Sequence, residues 1–308
     1  MFLPDASKEL VLKNTVYKKA MELYIWQAYL QDIGTGDVSA NLFLKSGQKT
    51  EAHIVANESC VLAGMQEAKW FLGKIGIKIV SEMKDGSRVK KGDVILKISG
   101  DPKKILSAER TVLNMLQRMS GVATITNKLA SKLPKNIKLL ATRKTLWGML
   151  DKRAISVGGG CTHRLNLSDA VMIKENHLSL SADKTNDFKQ VLRRAKNVRF
   201  IEVELQSETD VKWLLKNFPN PKNSTIVAML DNMSPSQVGK FAPMLKKSGY
   251  IVEVSGGVNE KNIRSFCLPG VSFISSGSIT MKAAGIDISL NINKRTQNTG
   301  HRTQLNPC

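Results

Sequence analysis

"FIEVELQSETDVKWLLKNF" (Phe200–Phe218) sets the architecture of the chain. Its first part, "FIEVEL", is a short β-branched run of the kind found in a buried strand. A polar break follows, and "SETDVKWLLKNF" then carries apolar residues at helical spacing. A buried strand leading directly into an amphipathic helix is half of a βαβ unit. The same unit recurs on both sides. "IKLLAT" (Ile137–Thr142), "AVMIK" (Ala170–Lys174), "TIVAMLD" (Thr225–Asp231), "YIVEVSGG" (Tyr250–Gly257) and "VSFISSG" (Val271–Gly277) read as strands. "DFKQVLRRAK", "SPSQVGKFAPMLKKSG" and "NEKNIRSF" read as helices between them. This alternation predicts parallel strands with right-handed crossovers. Six or seven such units suit an α/β barrel better than a short open sheet.

The first part of the chain has another texture. Residues 9–30 predict one amphipathic helix, and "DIGTGDVSANLF" (Asp32–Phe43) a turn. From His53 to Ile98 short strands alternate with tight turns, with one helix at "AKWFLGKIG" and a β-hairpin at "DGSRVKKGDVILKISG". Asp101–Leu133 is the longest helical stretch, with Ser107 a candidate cap within it. The chain therefore divides near residue 115 into a mixed α+β domain and a barrel-like domain, bridged by this helix. The polar tail "NKRTQNTGHRTQLNPC" (293–308) lacks periodicity and is expected to be loose.

The 308 residues include 46 Lys+Arg against 26 Asp+Glu, a net charge of +20. That surplus attracts polyanions without naming one. Nucleic-acid binding is disfavoured as the main function, because the cations gather at strand ends and aromatic stacking residues are few. Cys60, Cys161, Cys267 and Cys308 form no CxxC pair and read as reduced thiols, and the scattered histidines show no zinc-ligand spacing. The charged start is not expected to be a secretory leader, and no apolar run is long enough to span a bilayer. A cytoplasmic protein without a membrane partner is expected.

In parallel α/β folds, chemistry collects at the carboxyl ends of the strands. Here nearly every strand end carries a charged, Gly or Ser residue. Arg143 and Lys144 follow the first strand, and Lys174 ends the second. Glu202 and Glu204 share one face of "FIEVEL" by the two-residue period; alternation alone does not say whether both serve a ligand. Asp231 ends the next strand. Ser255, Gly256 and Gly257 follow, then Ser276 and Gly277. His163 and Arg164 lie just beyond "GGG" (Gly158–Gly160), which reads as a tight turn aiming them inward. Lys152 and Arg153 fall on the connecting helix and are expected outside the pocket. Cys161 reads as a passive small residue, and His177 as a support for the Lys174 loop. The cations suit carboxylates or pyrophosphate. The carboxylates suit ribose hydroxyls or Mg²⁺, and the small residues a phosphate.

"DIGTGDVSA", "ILSAERTVLNMLQRMSGVAT", "ATRKT", "VGGGCTHRLNLSDAVMIKENH", "EVE", "MLDNMSP" and "EVSGGV" occur in one order across most of the chain. On these motifs the chain resembles the nicotinate-nucleotide pyrophosphorylases (carboxylating), also called quinolinate phosphoribosyltransferases. The resemblance implies a type II phosphoribosyltransferase fold. An N-terminal α/β sandwich (1–115, joined by 288–308) would precede an incomplete parallel α/β barrel (116–287). It implies Mg²⁺-dependent transfer of phosphoribosyl from phosphoribosyl pyrophosphate to quinolinate, with loss of CO₂, giving nicotinate mononucleotide for NAD synthesis. It further implies a dimer or a hexamer of dimers. Arg143, His163, Arg164 and Lys174 would hold the two quinolinate carboxylates, with Arg110 reaching in across the dimer interface. Lys144 would serve the pyrophosphate. Glu204 and Asp231 would serve the ribose and Mg²⁺, directly or indirectly, and Ser255, Gly256, Gly257, Ser276 and Gly277 the 5-phosphate. The sequence departs from the family at Leu146-Trp147, where Thr-Pro is usual, and at Thr280-Met281-Lys282, where a histidine is usual at the Met281 position. The alternative is a homologue of the molybdenum-operon protein ModD, acting on another substrate. Keeping the whole dicarboxylate set favours quinolinate.

Overall fold

The computed structural model describes residues 4–45, 47–221 and 226–292; the 293–308 tail lies outside them. The first helix, α1 (Thr15–Ile33), starts where the Asn14 side chain accepts the N–H groups of Val16 and Tyr17. Residues 9–14 thus stay out of the helix that the apolar pattern predicts there. Asp37 then caps a short helix, α2 (Val38–Phe43), in what reads from sequence as a turn. β1 (Thr50–Ala56), β2 (Cys60–Val61), α3 (Met65–Lys74), β3 (Lys78–Glu82), β4 (Arg88–Val89) and β5 (Val94–Gly100) follow.

The hairpin expected around residues 85–100 does not form. β4 pairs with β2, whereas β5 lies between β1 and β3 in another sheet. The turn residues redirect the chain instead of folding it back: Asp85 accepts from the Met65 N–H at the start of α3, and Asp93 accepts from the Lys90 N–H.

The long helix α4 (Pro102–Ala130) is capped by Asp101, with Pro102 in its first turn. Ser107 is no cap; its hydroxyl donates to the Lys103 carbonyl one turn back. Buried residues along α4, from Ile105 to Leu129, join one hydrophobic cluster that also takes in Ile54 of the first sheet and Ile155, Val203 and Val254 of the second part. Residue 115 lies within this shared helix.

The second part runs through β6 (Lys138–Leu140), α5 (Met149–Val157), β7 (Val171–Ile173), α6 (Glu175–Ser179), α7 (Lys184–Arg194) and β8 (Ile201–Leu205). It continues through α8 (Glu208–Asn217), β9 (Ile226–Asp231), α9 (Pro235–Lys247), β10 (Ile251–Ser255), β11 (Val271–Ser275) and α10 (Ser278–Met281). "NEKNIRSF" yields only a 3₁₀ turn at Ile263–Phe266. The six strands form one parallel sheet in the order β6-β11-β10-β9-β8-β7. The end strands β6 and β7 do not pair, so the barrel is open. The last strand, β12 (Ile288–Ile292), returns to pair antiparallel with β1, giving the first sheet the order β12-β1-β5-β3. No helix among the described residues is long and apolar enough to cross a membrane.

Candidate active site

The carboxyl ends of the parallel strands surround a cavity of about 370 Å³. Arg143 and Lys144, exposed beyond β6, stand on one wall with His163, Arg164 and Lys174. Glu204 and Asp231 lie between them and the Ser255-Gly256-Gly257 turn beyond β10. Lys174 Nζ is 2.5 Å from Glu204 Oε2, and Gln206 Nε2 donates to the other Glu204 oxygen at 2.9 Å. His177 Nδ1 accepts the Lys174 backbone N–H at 3.0 Å, which fixes the start of this loop. Burial first, then the neighbouring Glu204 charge, raises the Asp231 carboxyl above the usual aspartate range.

The turn that follows is a backbone device. Gly256 has φ 90°, and a Cβ there would stand 2.3 Å from Asn232 Oδ1 and 2.6 Å from Asn232 N. Only glycine fits. The Asn259 and Asn262 side chains both donate to the Gly257 carbonyl, holding the turn open.

Three expected residues lie off this cavity. Ser276 is buried, its hydroxyl donating to the Val258 carbonyl at 2.6 Å, and Ser275 lines the cavity in its place. Gly277 packs behind Lys144, where a Cβ would come within 3.3 Å of the lysine Cδ. Arg110, exposed on α4, borders a separate cavity of about 140 Å³ with Tyr24, Asp32 and Trp147. Trp147 rests on Tyr24 at a ring distance of 5.0 Å. Met281 and Lys282 are exposed and do not line the main cavity.

His163 has both ring nitrogens engaged within the protein. Nε2 is 3.1 Å from Glu202 and 3.4 Å from Glu253, and Nδ1 accepts the Arg164 backbone N–H at 2.7 Å. Burial opposes a charged ring, but Glu202 and Glu253 outweigh it and raise the proton affinity of the histidine. The Arg164 N–H on Nδ1 turns Nε2 toward Glu202 and Glu253. Burial and then Glu253 also raise the Glu202 carboxyl above the usual glutamate range. His163, Glu202 and Glu253 are close enough to enclose a cation. The three form a buried charge cluster in which both Glu202 oxygens and Glu253 Oε2 have no hydrogen-bond partner among the described residues.

Lys152 and Arg153 lie on the connecting helix off the main cavity, as expected, but neither projects into solvent. Lys152 is 2% exposed, and Arg153 turns back to pair with Asp85 at 3.1 Å. Helix α5 is buried almost all round, so it offers no solvent face for them. Burial lowers the Lys152 ammonium to about 7; Asp169 opposes this, while Arg164 and Arg143 add to it. The "GGG" is also more than a turn. A Cβ on Gly158 would lie 2.4 Å from the Ala123 carbonyl, so that glycine admits the backbone of α4, and one on Gly160 would lie 2.8 Å and 2.9 Å from the Ile155 and Thr126 side chains.

A second buried network lies under Lys144. Asp151, fully buried, takes Nε and Nη2 of Arg118 at 3.0 and 2.9 Å, and also accepts the Leu146 and Trp147 N–H groups. Arg118 reaches on to the Thr280 carbonyl, and the Thr280 hydroxyl donates to the Lys144 carbonyl at 2.5 Å. Sequence reasoning misses Arg118, Asp151, Lys152 and Glu253, because isolated charges on apolar helices and strands carry no spacing signal.

Comparison with known proteins places the chain in a family. The family model described as quinolinate phosphoribosyl transferase, C-terminal domain, matches residues 122–291, and that for the N-terminal domain matches residues 37–120. A probable nicotinate-nucleotide pyrophosphorylase [carboxylating] of Methanocaldococcus jannaschii is 34% identical over 300 residues, spanning 92% of this chain and 98% of that protein. The chloroplastic nicotinate-nucleotide pyrophosphorylase [carboxylating] of Arabidopsis thaliana is 36% identical over 294 residues, spanning 90% and 84%. The solved structure of the nicotinate-nucleotide pyrophosphorylase from Francisella tularensis superposes with a TM-score of 0.80 at 30% identity, covering 89% of this chain and 96% of that one. The chain belongs to the quinolinate phosphoribosyl transferase family.

Proposed function

We propose that this protein transfers phosphoribosyl from phosphoribosyl pyrophosphate to the ring nitrogen of quinolinate. Pyrophosphate and CO₂ are released, and nicotinate mononucleotide is formed for NAD synthesis. The carrying observation is one cavity whose wall changes from cations, through two carboxylates, to a glycine turn. That order matches an acceptor with two carboxylates facing a sugar that ends in a phosphate.

In this reading Arg143, Arg164 and Lys174 hold the quinolinate carboxylates, with His163 in the floor between them. A carboxylate taken up by Lys174 releases Glu204 to face the ribose. Lys144 binds pyrophosphate and eases its departure. As the C1–O bond breaks, C1 becomes oxocarbenium-like, and Glu204 and Asp231 stabilise its positive charge. The N–H groups of the Ser255–Gly257 turn receive the 5-phosphate, with Ser276 and Gly277 supporting from behind. The newly quaternised ring nitrogen accepts the electron pair left by CO₂, so the protein has to orient the carboxylate and allow a proton to reach C2. Two neighbouring carboxylates are a donor set that fits Mg²⁺, so Glu204 and Asp231 would hold it, where it supplies charge neutralisation for pyrophosphate.

Arg110 lies too far round the fold to share this cavity within one chain. A homo-oligomer bringing the partner's α4 to the open side would complete the dicarboxylate bed. Within the described residues, those of 4–115 with 288–292 are read as one structural unit and those of 116–287 as the other. The test is to mix the protein with quinolinate, phosphoribosyl pyrophosphate and Mg²⁺. Nicotinate mononucleotide and CO₂ in equal amounts are expected. No product from quinolinate, with product from another pyridine acid, overturns the substrate assignment in favour of a ModD-like activity.

A further inference from the structure

His163 adopts a left-handed backbone conformation at φ 56° without being glycine. Such a conformation persists only where its surroundings over-determine it. Here three successive carbonyls are each taken by a side chain. Lys152 Nζ donates to Thr162 O and to Arg164 O, both at 2.6 Å, and Thr162 Oγ1 donates to His163 O at 2.9 Å. The ammonium therefore bridges the carbonyls of the residues before and after His163. Beyond them, Arg164 Nη1 is fixed on the Ala170 carbonyl at 3.2 Å.

A buried lysine whose hydrogen-bond partners are neutral carbonyls is a costly way to fill space. Methionine would fill the same volume without a desolvated charge. What methionine lacks is a compact head with several donors, able to hold two carbonyls at once. Stability alone therefore does not account for Lys152; backbone geometry does.

We propose that Lys152 is a positioning residue for the dicarboxylate end of the site, latching the His163–Arg164 backbone so that Arg164 and Arg143 converge on one ligand. The inference about ligand rests on the function proposed above. The charged groups facing the ammonium support it. Asp169 favours the charged form, while burial, Arg164 and Arg143 oppose it and leave it near neutrality. A dicarboxylate held between Arg143 and Arg164 offsets those two cations, so Lys152 gains a proton when the ligand binds.

Lys152→Met keeps the stem and removes the donors. Hydrogen exchange at pH 7 without substrate reads the latch alone. Residues 161–166 are expected to exchange at least about tenfold faster, while β8–β11 keep their protection. In steady state, KM for quinolinate is expected to rise about tenfold or more, and KM for phosphoribosyl pyrophosphate to change by less than about threefold. A folded variant with unchanged exchange overturns the latch whatever the substrate. Equal rises in both KM values overturn the positioning role. Faster exchange in the variant, when the unmodified protein itself binds no quinolinate, upholds the latch and rejects the proposed substrate. If the variant does not fold, calorimetry on the unmodified protein near neutral pH, in buffers of different ionisation enthalpy, decides. Proton uptake on quinolinate binding is expected, and none overturns the proposal.

Discussion

At the Ser255–Gly257 end of the cavity the groups facing a ligand are backbone, whereas at the Arg143–Arg164 end they are side chains whose backbone is held by buried side chains. The first end is local. Its shape follows from Gly256 at φ 90° against Asn232, and from Asn259 and Asn262 a few residues on. The second end is assembled from distant parts of the chain. Arg118 on α4, Asp151 and Lys152 on α5, and Thr280 on α10 all act behind the residues that face the cavity. A backbone site needs the right small residue at one position. A side-chain site needs a buried charge network, and is exposed to mutations far from the ligand.

The largest effect is expected from the network. Arg118→Met leaves Asp151 buried without its cation and should cost about 3–5 kcal/mol of stability, read by urea unfolding. Preserved stability would show that the Leu146 and Trp147 N–H groups suffice for Asp151. Arg143→Ala leaves the fold intact and should lower kcat/KM for quinolinate about 100-fold, as expected for losing a charged partner of a carboxylate. Gly256→Ala forces a Cβ onto Asn232, and an alanine at that φ costs about 1–3 kcal/mol; KM for phosphoribosyl pyrophosphate should rise about tenfold. Lys282→Ala is the control. Its side chain is exposed and off the cavity, so both KM values should stay within about twofold. A larger change would mean that Lys282 takes over the phosphate-side contact of the family histidine.

The parallel strands and most residues at their ends are legible in the sequence because β-branched runs stop at charged or small residues. The Ser255–Gly257 turn is legible for the same reason that it is local. Ser276 shows the limit: in "SSGS" the pattern does not say which serine faces the cavity, and a one-residue shift exchanges Ser275 for Ser276. The 85–100 segment shows another. Its Gly and Asp residues announce turns, but not that β4 and β5 join different sheets. Lys152 reads correctly as off the pocket, but a lone lysine on a helix carries no signal that it is buried. Its burial comes from the surrounding fold, including the Thr162 and Arg164 carbonyls that the chain brings back 10 and 12 residues later.

The most direct test crosses the two ends with the two substrates. KM for quinolinate and for phosphoribosyl pyrophosphate would be measured in Arg143→Ala and in Gly256→Ala. The expected result is a crossed pattern, with Arg143→Ala weakening quinolinate and Gly256→Ala weakening phosphoribosyl pyrophosphate, each sparing the other substrate. Both variants weakening the same substrate, or Arg143→Ala leaving quinolinate untouched, would contradict the assignment of the two ends.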